Sequence, residues 1–292
     1  MAVFIESVIN GISFGLLYGL LAFSIVLLFK SNGVANFAQG NIGAFAVFIA
    51  YGLYAMAHWE FWLSVGLSIV AAALLGILVY FVVLGINGRA GPLNATMRTM
   101  GIYLLLYALM NQFWAVGQPF NFHAIFPQGN LHLGGVTISF TVIGTLVVVG
   151  VLLIVTALVF RYTRVGLLMR GLAANSAVAR LLGLRAARYT AIGFAISAVV
   201  AVIAGLLVAP TVNLTSDMLE IVLPYSFTAV ILGGITSLGG SIVGGLIVGV
   251  AQSVTSVYLS SDAASYVVFG VLVATLLIRP SGIFGRNLRE RF

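Results

Sequence analysis

The chain contains no cysteine and carries little charge. Of its 292 residues, 7% are Asp, Glu, Lys or Arg and 62% are hydrophobic. The missing cysteines exclude structural disulfides, thiolate metal sites and cysteine nucleophiles. Soluble domains carry about 25% charged residues, and this composition cannot build a surface that faces water. We therefore expect the lipid bilayer to be the solvent of most of the chain.

The chain also has a single lysine. Lys30 follows Phe29, whereas a P-loop needs a lysine directly after glycine to reach nucleotide phosphates. The chain is therefore not expected to hydrolyse ATP by itself. Its six acidic residues and three histidines form no hydrolytic constellation, so we predict no catalytic site and no metal.

The charged residues separate long uncharged intervals. A charge at the bilayer centre costs a few kcal/mol or more, and a spanning helix needs about 20 residues, so each interval predicts at least one crossing. The fold class predicted is all-α: a single polytopic transmembrane helix bundle over residues 1–292, with about eight or nine spans. The uncharged intervals are Ser7–Phe29, Ser31–Trp59, Phe61–Gly88, Thr99–Phe160, Tyr189–Ser216, Ile221–Ser261 and Ala263–Ile278.

Two intervals are long enough for two crossings each. The first predicts helices near Met100–Val116 and Val136–Phe160, with an external loop at about 117–135 between them. The second is predicted to divide at Gly233–Gly240, which gives about nine crossings and puts the termini on opposite sides of the membrane.

Basic residues favour the cytoplasmic side of short loops. All of them fall there if the N-terminus is outside and the C-terminus is cytoplasmic, and the longest cytoplasmic connection is then about 161–188. Five of the six acidic residues fall outside. The net charge of +7 thus indicates topology and attraction to anionic membrane lipids, and nucleic acid is not an expected partner. The first ten residues contain no basic residue, so we expect the first apolar run to be a retained span.

Glycine is abundant, with 34 residues, and clusters at Gly33–Gly43 and Leu232–Gly249. Small residues allow helices to pack closely in lipid. Consecutive glycines also break helices where irregular backbone lines a transport cavity. Both interpretations are open from the sequence.

The loop at 117–135 contains Gly129-Asn130 followed by alternating residues, a pattern that predicts a small external hairpin. His123 and His132 are candidate metal ligands without an evident third ligand. A docking surface for an external partner is the interpretation that we favour.

The connection at 161–188 predicts a short helix outside the membrane. Asn175 is a suitable N-cap and Gly183 a suitable stop. Val178, Leu181 and Leu182 share one face at helical spacing, which suits a groove on a soluble partner or, alternatively, the lipid surface.

Polar residues inside the predicted spans are candidates for lining a pathway. Each one could instead make an interhelical hydrogen bond, as such residues do in membranes. The candidates are Asn36, Gln39, Asn41, Asn111, Gln112, Thr228 and Thr236.

Four segments resemble the branched-chain amino acid ABC transporter permease family. NFAQG at Asn36–Gly40 is similar to its signature after the first helix, and ANSAVARLLGL at Ala174–Leu184 resembles its coupling-helix sequence. FTAVILGGITSLGGSIVGGLIVG at Phe227–Gly249 resembles its glycine-rich segment, and RPSGIFG at Arg279–Gly285 its tail. The resemblance runs nearly end to end. Ala177 departs from the acidic residue that the family often has there.

The resemblance implies a permease subunit in a prokaryotic inner membrane, forming the pathway for branched-chain or other hydrophobic amino acids. Its implied partners are a second related permease, two cytoplasmic ABC ATPases that bind ATP and Mg, and an external substrate-binding protein. The coupling helix that would contact an ATPase comprises Asn175, Ser176, Val178, Ala179, Arg180, Leu181, Leu182 and Gly183. The possible translocation path comprises Asn36, Gln39, Gly40, Asn41, Thr228, Gly233 and Gly234.

Two alternatives use no ATPase: a passive channel for a small neutral solute such as urea or amides, and an ion-coupled secondary transporter. The predicted spans hold no Asp, Glu, His or Arg, which argues against proton coupling. Sodium coupling through backbone carbonyls stays open.

Overall fold

A computed structural model describes residues 2–34, 36–84, 91–114, 119–127, 129–133, 136–174 and 186–285. Within these ranges the chain forms ten α-helices, one π-helical segment and one β-hairpin. The helices are α1 (Ala2–Asn32), α2 (Gln39–Tyr51), α3 (Phe61–Leu84), α4 (Pro92–Trp114), α5 (Phe140–Tyr162), α6 (Arg164–Ala174), α7 (Ala186–Val212), α8 (Met218–Gly233), α9 (Leu238–Tyr258) and α10 (Ser261–Ile278). The π-helical segment Gly52–Met56 continues α2, and strands β1 (Asn130–Leu133) and β2 (Val136–Ser139) precede α5.

Five of the described helices are long and apolar enough to cross a membrane, namely α1, α3, α7, α9 and α10. Two shorter apolar stretches, Phe140–Thr156 and α8, accompany them. Large apolar side chains such as Leu74, Leu78 and Leu104 are exposed along the helices, as lipid-facing residues are. The predicted polytopic helical fold is thus confirmed.

The described chain packs as two compact units, each built from separate stretches of sequence. The first comprises 1–26, 124–150 and 222–292, and the second comprises 27–123 and 151–221.

The first unit contains a close antiparallel contact between α1 and α9. Gly11, Gly15 and Gly19 recur every four residues on α1 and meet Val250, Gly245 and Ile242 of α9 in turn. A Cβ added to Gly15 would lie 2.8 Å from the Gly245 oxygen. Two helix backbones therefore touch directly, a contact that only glycine permits.

The second unit contains a stripe of small residues on α7. Gly193, Ser197, Ala201 and Gly205 recur every four residues and face other helices. Gly43 of α2 approaches Ala201 so closely that a Cβ on Gly43 would lie 2.6 Å from the Ala201 oxygen.

The glycine-rich segment divides as predicted, because α8 ends at Gly233 and α9 begins at Leu238. Ser237 caps α9, its hydroxyl accepting a hydrogen bond from the Gly240 N–H at 3.0 Å. Gly234 has φ +98°, a conformation that glycine adopts readily. The glycines of this segment thus end one helix and pack closely against another, and a transport cavity lined by the broken backbone stays a prediction.

Helix α4 begins at Pro92, earlier than the predicted Met100. The prediction excluded Arg98 from any span, but its Nη1 donates to the carbonyls of Val82 and Val83 at 3.3 and 3.2 Å. These carbonyls belong to the last turn of α3, where a cation is favourable. The charge is thereby accommodated inside a helix.

The predicted hairpin forms, with Asn130 opposite Ser139 and Leu133 opposite Val136. The second strand consists of Val136–Ser139, which were predicted to be the start of a helix, and α5 begins only at Phe140. Val136, Thr137 and Ile138 are β-branched, which favours a strand.

Candidate functional site

The signature Asn36–Gly40 forms a buried hydrogen-bonded turn that starts α2. The Asn36 Oδ1 accepts from the Ala38 N–H at 3.0 Å, and its Nδ2 donates to the Gln39 Oε1 at 3.1 Å. An Asn side chain bonding to the backbone two residues ahead is a recurrent turn motif. Asn36, Gln39 and Gly40 are all buried.

Gln39 connects this turn to α7. Its Nε2 donates to the Ser197 carbonyl at 3.0 Å and to the Ser197 Oγ at 2.9 Å. Ser197 was not singled out from the sequence, although the period-four run of small residues on α7 is a signal that could have found it.

Asn41 connects α2 to α4, because its Nδ2 donates to the Tyr103 carbonyl at 3.2 Å. Gln39 and Asn41 thus join α2 to α7 and to α4, three helices of the second unit. Their place on a translocation path stays a prediction.

Four further path candidates, Thr228, Gly233, Gly234 and Thr236, lie in the first unit. Thr228 is buried, and its Oγ1 donates to the Pro224 carbonyl at 2.9 Å. Gly233 lies against the backbone of Gly240, and Gly234 occupies the turn that follows α8. Thr236 lies in the same turn.

The tail motif is bound to the end of α8. The Ile283 N–H donates to the Leu232 carbonyl at 2.8 Å, and the Phe284 N–H donates to the Gly233 carbonyl at 3.1 Å. The last carbonyls of a helix lack partners within it. The glycine-rich segment and the tail motif therefore form one structural element.

The loop predicted to be external is joined to the segment that follows α7. Phe120 and Leu214 form an antiparallel bridge, with N–H to carbonyl distances of 3.1 and 2.8 Å. The ring of Tyr51 packs on Phe120 with centroids 4.9 Å apart, and His123 packs on Phe61 at 5.0 Å. Aromatic residues gather in this way at membrane interfaces.

Asn111 and Gln112 differ in their surroundings. The Asn111 Nδ2 donates to the Tyr107 carbonyl at 2.9 Å, and its Oδ1 accepts from the Ser216 Oγ at 3.3 Å. Gln112 is exposed. Among the described residues, no group of three or more His, Cys, Asp or Glu side chains could hold a metal ion.

The predicted coupling helix, Asn175–Gly183, lies outside the described residues. Helix α6 precedes it, and Met169 of α6 is buried beside Gly193 of α7 and Ser31 of α1. A Cβ on Gly193 would lie 2.8 Å from the Ser31 Cβ and 3.0 Å from the Met169 Cε. The segment next to the predicted coupling helix is therefore fixed to two other helices.

Comparison with solved structures supports the helical fold. The chain resembles a structure described as PsaBC from Streptococcus pneumoniae in complex with Fab, with a TM-score of 0.50 and 13% identity, over 93% of this chain and 91% of that one. At this identity the likeness concerns the fold alone.

Comparison with characterised sequences covers nearly the whole chain. It is 28% identical to the high-affinity branched-chain amino acid transport system permease protein LivH of Escherichia coli K12, over 99% of this chain and 97% of that protein. It is 29% identical to BraD of Pseudomonas aeruginosa, over 99% and 98% of the two chains. A probable LivH of Methanocaldococcus jannaschii is 25% identical, over 93% and 89%.

The family model described as the permease component of the branched-chain amino acid transport system matches residues 7–277. The match includes three of the four motifs entirely and only the tail motif lies beyond it. Together with the long apolar helices, it makes the chain a multi-pass membrane protein. The chain belongs to the branched-chain amino acid transport permease family.

Proposed function

We propose that this chain is the pore-forming permease subunit of an ABC importer for branched-chain or other hydrophobic amino acids. The single observation that carries the proposal is the family match over residues 7–277. The relatives named above are described as permeases of branched-chain amino acid transport systems, and the match covers almost the full length of each.

The importer requires ATPase activity that is supplied by other chains. The only lysine, Lys30, cannot serve a P-loop, so ATP and Mg would bind to two cytoplasmic ATPase subunits. A second, related permease would complete the pore, and an external binding protein would deliver the substrate. The helix at Asn175–Gly183 would transmit ATPase closure, with Arg180, Leu181 and Leu182 as the contact residues.

The proposed topology has nine spans, with α2 and its π-helical extension as one and α6 outside the membrane. In the first unit, α1 and α9 are antiparallel, and the tail after α10 is bound to the end of α8 that leads into α9. The start of α1 and the end of α10 thus lie at opposite ends of that unit. This arrangement supports termini on opposite sides of the membrane, and the distribution of basic residues favours an external N-terminus and a cytoplasmic C-terminus.

The proposed path comprises Asn36, Gln39, Gly40, Asn41, Thr228, Gly233 and Gly234. In the single chain the four polar side chains are enclosed and hydrogen-bonded. Opening of the path past Gln39 and Asn41 would break the bonds from Gln39 to α7 and from Asn41 to α4.

The experiment is affinity purification of the tagged chain in mild detergent, with identification of co-purifying proteins and assay of their ATPase activity. P-loop ATPases and a second permease should co-purify, and Leu182→Asp should release the ATPases because it places a charge on the apolar docking face. Gly270→Ala, at an exposed glycine with open space around it, is the control and should retain them. A chain that purifies folded and alone would favour a channel or a secondary transporter.

A further inference from the structure

An unpaired carboxylate oxygen lies at the start of α8. Glu220 is half-buried in the first turn of this helix, and its Oε1 is enclosed. The structure gives that atom no hydrogen-bond partner among the residues it describes. Burial of a charged group without a partner is costly. This oxygen is therefore available to a ligand that donates hydrogen bonds.

One tyrosine of α4 borders the carboxylate, and a second stacks on the first. The Tyr103 hydroxyl lies against Glu220, and the Tyr103 ring stacks on that of Tyr107 with centroids 6.5 Å apart at 14°. One turn further along α4, Asn111 bonds to Ser216. The 216–220 segment thus runs along the face of α4 that carries these three side chains. Tyrosine ring faces attract cations.

The backbone adds a second acceptor at the same residue. Pro224 stands four residues after Glu220 within α8, and proline has no N–H to donate to the carbonyl four residues earlier. The Glu220 carbonyl therefore lacks its usual helical bond. Acceptor oxygens with an aromatic border match an ammonium group, which carries three donors and no acceptor.

We infer that Glu220, with Tyr103 beside it, binds the ammonium group of the transported amino acid. This inference rests on the proposed function and deepens it, because it names the residue that recognises the polar end of the substrate. In the proposed topology Glu220 lies at the external end of α8, where a delivered amino acid would arrive. Its negative charge would repel the substrate carboxylate and so orient the molecule.

The test uses the purified complex in detergent without the external binding protein, so that the leucine site of that protein is absent. Three probes separate the charges of leucine: leucine itself, 3-methylbutylamine, which lacks the carboxylate, and 4-methylpentanoate, which lacks the ammonium. Thermal unfolding is followed as each probe is titrated. Leucine and 3-methylbutylamine should raise the Tm of the wild type, whereas 4-methylpentanoate should leave it unchanged.

Two variants locate the effect. Glu220→Gln keeps the size of the side chain but removes its charge, and should weaken the apparent affinity for leucine by about tenfold or more, as loss of a charge-assisted hydrogen bond does. Asp262→Asn is the matched control, because Asp262 is an exposed acidic residue in the first turn of α10. It should bind leucine as the wild type does.

Three results would overturn the inference. One is a wild type that responds to 4-methylpentanoate as well as to 3-methylbutylamine, or to none of the probes. Another is unchanged leucine binding in Glu220→Gln, which would indicate a protonated, structural carboxyl. The third is a full response to sodium chloride alone that Glu220→Gln abolishes, which would indicate an inorganic cation site. ATP-dependent uptake that persists alongside any of these results would leave the proposed function intact.

Discussion

Replacement of Gly245 by alanine should separate α1 from α9. A Cβ at this position would lie 2.5 Å from the Gly19 nitrogen and 2.6 Å from the Gly15 oxygen. The first distance is about 0.9 Å below the 3.4 Å at which ordinary van der Waals contact begins. Both neighbours are backbone atoms, so no side chain can rotate away and the helices must move apart.

The cost follows from overpacking, which is typically about 1–3 kcal/mol. Alanine also has a higher helix propensity than glycine by up to about 1 kcal/mol, which hides part of that cost. Gly270→Ala is the matched control, because Gly270 also lies within a helix of the first unit but has no atom within 4 Å of its added Cβ. The propensity gain is common to both variants, so the difference between them isolates the α1–α9 contact.

The assay is unfolding of the purified protein in mixed micelles as the SDS fraction is increased. Gly245→Ala should be less stable than Gly270→Ala by about 1–3 kcal/mol, and its midpoint should fall below that of the wild type. Stabilities of the two variants that agree within about 0.5 kcal/mol would refute the close contact between the helices.

Three further predictions concern other described residues. Tyr80→Phe should leave stability unchanged or raise it by about 1 kcal/mol, because the buried Tyr80 hydroxyl lacks a partner among the described residues. Tyr18→Phe should lower stability by about 0.6 kcal/mol, because the 2.6 Å hydrogen bond to Gln252 is lost. The opposite order of the two variants in thermal melts would contradict this prediction. Gln39→Glu should lower stability by about 1–3 kcal/mol, because a carboxylate cannot donate to the Ser197 carbonyl. The control is Gln112→Glu, since Gln112 is exposed on α4. A Gln39→Glu variant that melts like the wild type would contradict the prediction. In this cysteine-free chain, Asn121→Cys should react with an impermeant maleimide on intact cells and Ser281→Cys only after lysis, whereas the reverse pattern would invert the topology.

Charge spacing predicted the helices well, because the bilayer penalises charge wherever it occurs. The glycine pairs within one uncharged interval located the division between α8 and α9 correctly. Charge spacing misplaced the start of α4, since the bonds from Arg98 to the end of α3 depend on a neighbouring helix that spacing along one segment does not describe.

The candidate site was less predictable than the fold. The signature amides were identified from the sequence, but Gln39 bonds to Ser197, 158 positions away, and such a pairing depends on tertiary packing. Glu220 was expected only as part of an external loop. Its unpaired oxygen and its contact with Tyr103 depend on how α4 packs against the start of α8.

The most direct test of the account is leucine uptake by proteoliposomes that contain the purified complex, with the external binding protein outside and ATP enclosed on the ATPase side. The account predicts accumulation above the external concentration that requires both the binding protein and hydrolysable ATP, and that is lost in Leu182→Asp. Uptake by this chain alone, without ATP and only to equilibrium, would contradict it.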